Sequence, residues 1–181
     1  MSMEASLPHS DQDKADDVRL LVVMGVAGCG KSSIGEALAI KLGGQFLDGD
    51  TYHPPANVEK MSRGEPLTDN DRWPWLKRFA TEMATRKGIV VGGCSALKRV
   101  YRETITEAAD ENTLFIHLSG SRALISERMG ARTGHFMPTS LLDSQFATLE
   151  LPTADENAVT VDIDAPIETI IDRILAAIKE R

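Results

Sequence analysis

Three short stretches of this chain have the residue types and spacing to do chemistry. The first is GVAGCGKS, Gly25 to Ser32, a complete match to G-x-x-x-x-G-K-[S/T]. Its glycines free backbone N–H groups to wrap a polyphosphate, Lys31 can reach the β- and γ-phosphates, and the Ser32 hydroxyl is a hard ligand for Mg²⁺. Gly25, Ala27, Gly28, Cys29, Gly30, Lys31, Ser32 and Ser33 are therefore the candidate contacts to ATP. Cys29 has two readings: a thiol activated at a helix N-terminus, or a small residue that fills space. The second stretch is Asp48-Gly49-Asp50. Carboxylates two positions apart at a strand end point the same way, so one can hold hydrated Mg²⁺ while the other takes a proton from an attacking hydroxyl. Asp48 is assigned to the metal and Asp50 to the acceptor, with an exchange of roles left open and a plain Asp-Gly turn as the alternative.

The third stretch, GGCSALKRVYR (92–102), puts Lys98, Arg99 and Arg102 within five positions of a chain whose net charge is −7. Read as a helix over 96–109 with Ser95 as its N-cap, it places Lys98 and Arg102 on one face. A solvated charged face would look the same. At the carboxyl end of a strand, beside a phosphate loop, the pair is expected to grip a small anion. A further basic pair, Arg128 and Arg132, can close over a triphosphate and neutralise developing charge, or can simply complement a helix dipole.

The elements that must position these groups alternate. Strands are expected at Leu20–Met24, Gln45–Leu47, Ile89–Val91, Thr113–Leu118 and Val159–Ile163. Helices are expected at 32–42, 57–61, 96–109, 122–129, 139–149 and 167–179, with another over 70–87 whose internal Pro74 shifts its start to Arg72 or Trp73. Such alternation implies a doubly wound α/β domain, a parallel sheet covered on both faces, with ligands beyond the carboxyl ends of the strands. Trp73 and Trp75 are read as core rather than as a sugar-stacking platform.

Composition narrows the partners. An acidic chain does not suit non-specific nucleic-acid binding, and no apolar run approaches the ~20 residues of a membrane span. Residues 1–18 are polar and acidic and read as a disordered tail before a single domain over 19–181. Two cysteines form no disulfide framework, so the cytoplasm is the expected compartment. No Asn-Lys-x-Asp occurs, which removes support for guanine specificity.

Beyond the phosphate loop, DGDTYHPPANVEKMSRGEPLTDNDRWPWL (48–76), CSALKRVYR (94–102) and HFMPTSLLDSQFATLELP (135–152) resemble the gluconokinase family. Together these cover most of the chain from residue 21 onward; the first twenty residues match nothing in the family. Cys29, where the family often has serine, and Val100 depart from its pattern. The resemblance implies a three-layer P-loop fold similar to shikimate and nucleoside monophosphate kinases, with five parallel strands and a lid near 130–150. It implies a homodimer that uses ATP and Mg²⁺ to make 6-phospho-D-gluconate from D-gluconate, feeding the pentose phosphate pathway. Asp50, His53, Arg72, Ser95, Lys98, Arg102 and His135 are the implied substrate residues, Lys31, Asp50 and Arg132 the catalytic ones, and Pro166 a neighbour of adenine. A turn-capping role for His53 and a surface pairing of Arg72 with Asp69 or Asp71 are the plain alternatives. Shikimate or another sugar acid is the alternative substrate, and a nucleotide-binding regulatory module without turnover the alternative class.

Overall fold

The computed structural model describes residues 18–130 and 139–181. The expected tail over 1–18 therefore lies almost wholly outside the described residues, as do Arg132 and His135. In chain order the elements are β1 (Leu20–Met24), α1 (Lys31–Leu42), β2 (Gln45–Asp48), a 3₁₀ turn (Gly49–Tyr52), α2 (Pro55–Ser62), α3 (Asp69–Thr85) and β3 (Val90–Gly93). Then follow α4 (Arg99–Ala109), β4 (Thr113–Ser119), α5 (Arg122–Gly130), α6 (Thr139–Thr148), β5 (Ala158–Asp162) and α7 (Ile167–Lys179).

All five strands are parallel, in the order β2-β3-β1-β4-β5. The five residues of β1 are all buried, as its unbroken apolar run LLVVM requires of a central strand covered on both faces. The apolar core lies in two layers. On one face Ile34 and Leu38 of α1 and Ile170, Ile171 and Ile174 of α7 pack on alternate strand residues such as Leu21, Val23, Leu114 and Ile116. On the other, Leu76, Phe79 and Met83 of α3 and Tyr101 and Ile105 of α4 pack on Leu20, Val22 and Phe115. Gly92 is small for a reason: a Cβ there would stand 2.5 Å from the Phe79 ring. From β1 the chain turns outward in both directions, to β3 and to β4, so the carboxyl end of β1 is the switch point where this architecture places its ligands.

Helices α1 and α2 start one and two residues earlier than expected, and two other helix starts differ by three or more. Helix α3 begins at Asp69, not at Arg72 or Trp73, because Thr68 and Asp71 form a reciprocal capping box. Pro74 then falls in the second turn, inside the helix, and cannot supply the N–H that would bond the Asn70 carbonyl. Helix α4 begins at Arg99, not Ala96: Ala96 sits at φ +43°, a conformation no helix contains, and Lys98 rather than Ser95 is the N-cap. The later part of the expected lid range is helix α6, whose Leu142 is buried and whose Phe146, with Leu149 just past the helix end, packs on the first core layer.

Candidate active site

The phosphate loop joins β1 to α1. Gly28 and Gly30 take φ of +81° and +96°, which L-residues with side chains rarely adopt. Gly30 caps α1 with no side-chain bond to the helix, and the first turn holds no acidic residue. The positive end of a twelve-residue helix is thus left open to an anion. The Lys31 ammonium folds back and donates to the carbonyls of Gly25 and Val26, each at 3.0 Å. Ser32 and Ser33 are exposed at the helix start. Cys29 is buried under the loop; burial pushes its thiol up, with Lys31 opposing, which supports the space-filling reading over a reactive one.

At the end of β2, the Asp48 carboxylate accepts the Asp50 N–H at 3.0 Å and so closes the 3₁₀ turn. Both carboxylates remain exposed and form no ion pair among the described residues. Cys94, buried at the end of β3, marks the convergence: burial pushes its thiol up to about 12, and Lys31, Asp50 and Asp48 all act on it. Gly25 N–H also donates to the Ser95 carbonyl (3.2 Å), tying the phosphate loop to the segment after β3. Among the described residues no three His, Cys, Asp or Glu side chains form a ready-made metal cage. The hydroxyl of Ser32 and a free Asp48 carboxylate are nevertheless the hard, sparse donor set that Mg²⁺ takes when substrate phosphates and water complete its shell.

Beside this pair stands His53, stacked on Trp75 with ring centroids 4.0 Å apart. Trp75 is itself fixed by donating from Nε1 to the Gly49 carbonyl (2.8 Å). The buried Asn57 amide donates to the Asp71 carbonyl at 2.9 Å, which identifies that atom as nitrogen, and its second hydrogen faces His53 Nδ1 at 3.3 Å. Nδ1 therefore accepts, and neutral His53 carries its proton on Nε2. Burial keeps the ring neutral by pushing its pKa below the ordinary value; Asp50 opposes this and Arg72 adds to it. His53 is more than a turn cap: it is a half-buried ring with a fixed tautomer.

Arg72 and Lys98 meet across Asp69. The Asp69 carboxylate takes the Lys98 ammonium at 3.3 Å, lies 3.6 Å from Arg72, and accepts the Tyr101 hydroxyl at 2.5 Å. The Tyr101 bond and then Lys98 hold Asp69 below the usual carboxylate range, and Asp69 in turn raises Lys98. Arg72 and Lys98 also sit 5.4 and 5.5 Å from the Tyr101 ring centroid, within cation–π distance of one phenol. The alternative pairing of Arg72 with Asp69 thus exists, but as part of a four-residue cluster. Trp75 is core, as expected; Trp73 is half-buried, edge-on to Tyr101 at 5.7 Å.

Arg102 does not join this cluster. It is 2% exposed, and every guanidinium N–H is spent. Nε and Nη2 hold Glu156 at 2.7 and 3.2 Å, Nη1 donates to the carbonyls of Ala96 and Leu97, and Nη2 donates to Glu150 O. The shared helix face expected of Lys98 and Arg102 is not formed, because Lys98 precedes the first helical turn. Ser95 contributes its backbone carbonyl to the phosphate loop, not a helix cap. Arg99, the third cation of the stretch, is turned to the surface and paired with Asp155 and Glu103. On the far side of the loop, Arg128 of α5 donates to Ala165 O at 3.4 Å, so two of the expected ATP contacts, Arg128 and Pro166, are brought together where α7 begins.

Sequence reasoning missed Asn57, Asp69, Tyr101 and Gln145, whose Oε1 accepts the Ala27 N–H at 2.5 Å. The cation density after β3 was the signal for Tyr101; nothing local marks the rest.

The model of the shikimate kinase family matches residues 27–179. The thermoresistant gluconokinase of Escherichia coli (strain K12) is 44% identical, with 91% of this chain and 95% of the relative covered. A probable gluconokinase of Xenopus tropicalis is 46% identical over 86% of this chain and 90% of its own. Among solved structures, a gluconokinase from Sinorhizobium meliloti 1021 superposes with a TM-score of 0.82 at 49% identity, covering 89% of this chain and 91% of that one. The chain belongs to the gluconokinase family, within the shikimate kinase-like P-loop kinases.

Proposed function

We propose that the protein transfers the γ-phosphoryl group of ATP to D-gluconate, giving ADP and 6-phospho-D-gluconate. One observation carries this reading beyond family membership: an open phosphate loop, an exposed carboxylate pair and a cation cluster stand together beyond the carboxyl ends of neighbouring strands. A donor polyphosphate, an acceptor hydroxyl and an acceptor carboxylate need those three groups in that order.

In the proposed reaction Lys31 and the remaining loop N–H groups hold the β- and γ-phosphates, those of Gly25, Ala27 and Cys29 being already bonded to Ser95 O, Gln145 Oε1 and Val26 O. Lys98 and Arg72 take the sugar carboxylate in exchange for Asp69, a charge-assisted pairing that also orients the chain of hydroxyls. His53 donates from Nε2 to a sugar hydroxyl. Asp50 accepts the proton of the primary hydroxyl as the new O–P bond forms and the bond to ADP breaks. Ser32 and Asp48 would hold Mg²⁺, which when bound would supply positive charge to the phosphate oxygens. Arg128 and Pro166 border the nucleotide base, and Arg132 and His135 remain assigned to the transferred group and the acceptor. Arg102 supports the acceptor loop from behind and makes no substrate contact. A homodimer in the cytoplasm completes the proposal, supported by the family resemblance, and by two buried cysteines with no disulfide.

The test is ADP formation against gluconate, shikimate, other aldonates and nucleoside monophosphates. Gluconate-dependent turnover is expected, and its absence refutes the proposal. The Lys31→Ala variant is expected to lose turnover while keeping its melting temperature.

A further inference from the structure

Helix α6 spans the ground between the phosphate loop and the acceptor loop. It packs through Leu142 and Phe146, with Leu149 just past its end, a spacing of four and three residues that places Gln145 on that same face. Gln145 Oε1 accepts the N–H of Ala27, the third residue of the phosphate loop. One turn later the chain is pinned again: Glu150 N–H donates to Leu97 O at 2.8 Å, and Glu150 accepts from Arg99 N–H at 2.7 Å through its carboxylate. Its carbonyl accepts from buried Arg102. Leu97 and Arg99 flank Lys98. A single helical turn, closed by Leu149 N–H to Gln145 O at 3.0 Å, therefore links an N–H of the donor loop to the segment that carries an acceptor cation.

We propose that Gln145 is a positioning residue for phosphoryl transfer, setting the distance between the phosphate loop and the Leu97–Arg99 loop through the Ala27 N–H. The inference rests on the kinase reading above. Both loops keep their own binding groups without Gln145, so its removal leaves ground-state binding nearly intact. What is lost is the alignment of attacking hydroxyl and phosphorus. A misplacement near 1 Å costs on the order of 100-fold in rate.

The test compares Gln145→Leu, which removes the acceptor oxygen, with Gln145→Glu, which keeps an oxygen at the same reach. Gln145→Leu is expected to lower kcat about 10- to 100-fold while KM for ATP and gluconate stay within about threefold. Gln145→Glu is expected to recover most of kcat and instead raise KM for ATP, because its charge faces the phosphates. In nucleotide-free protein, hydrogen exchange at the Ala27 amide is expected to be slow in the parent and in Gln145→Glu, and fast in Gln145→Leu. Gln145→Asn, too short to reach, serves if the leucine variant melts early, and is expected to reproduce its kcat loss. Unchanged kcat in the leucine and asparagine variants, a loss that tracks the unfolded fraction, no recovery in Gln145→Glu, or equal Ala27 exchange in all proteins overturns the proposal. A parent protein without gluconate turnover refutes the substrate reading instead, and the Ala27 exchange still decides the contact.

Discussion

Arg102 and Lys98, four residues apart in one basic stretch, are expected to fail in opposite ways when mutated. Arg102→Met removes one partner of a pair in which the arginine is 2% and Glu156 10% exposed. Desolvation alone would push Glu156 up; its bonds to Arg102 and to the Thr153 N–H hold it below its ordinary value, so it stays charged and is stranded by the mutation. Breaking such a pair costs about 3–5 kcal/mol. For a chain of this size a loss of 1 kcal/mol lowers Tm by about 2–4 °C, so the expected drop is about 6–20 °C. The carbonyls of Ala96, Leu97 and Glu150 lose their donors too, which favours the upper half of that range. The double variant Arg102→Met/Glu156→Met removes the stranded charge and is expected to recover part of the loss. Lys98→Met, at a site one-third exposed, is expected to leave Tm nearly unchanged and raise KM for gluconate about tenfold or more. Thermal melts and steady-state kinetics on the four proteins decide the matter. If Arg102→Met melts within 2 °C of the parent (well under the ~6 °C lower bound) and raises gluconate KM tenfold (about what losing a charge-assisted contact gives), the division between support and grip is wrong.

Two further outcomes follow from the titrating groups. The His53 ring is expected to titrate below its ordinary value of 6.5, in the Nε2–H tautomer, when followed by nitrogen NMR shifts; a midpoint at or above that value refutes the assignment. Asp71, held at about 2 chiefly by its hydrogen bond from Lys60 and then by the Thr68 N–H, has a folded pKa below its unfolded one. Its stabilisation is therefore complete above about pH 4 and lost as pH falls through about 2. The Tm gap between the parent and Asp71→Asn should close over that window; a gap independent of pH refutes it.

Much of the frame was legible because the signals were local. The apolar run of β1, the phosphate-loop glycines and the Asp-Gly-Asp turn each carry their structure within a few residues, and β1 and α7 lie where periodicity placed them. The start of α3 was equally local, in Thr68-x-x-Asp71, but Pro74 drew attention away from it. Arg102 was beyond reach: its partners Glu150 and Glu156 come from 48 and 54 residues away, and only the completed fold shows that they bury it. The same holds for Gln145, which meets Ala27 across 118 residues. Asn57 and Asp69 are common polar residues until the structure sets one against His53 and the other between two cations.

Asp69 has a consequence for selectivity. The cluster of Arg72, Lys98 and Asp69 sums to one positive charge, the counterpart of a monoanion. With Asp69 in place, a stray phosphate or a second nucleotide meets a partly neutralised surface and must compete with a carboxylate already seated on both cations. A sugar acid brings one carboxylate of the same shape and loses nothing in the exchange. On the proposed reading Asp69 stands in for the acceptor's carboxylate, and the cluster is expected to favour monoanions over more highly charged ones. Exchanging it for asparagine would raise the cluster to a charge of two and tilt it towards dianions.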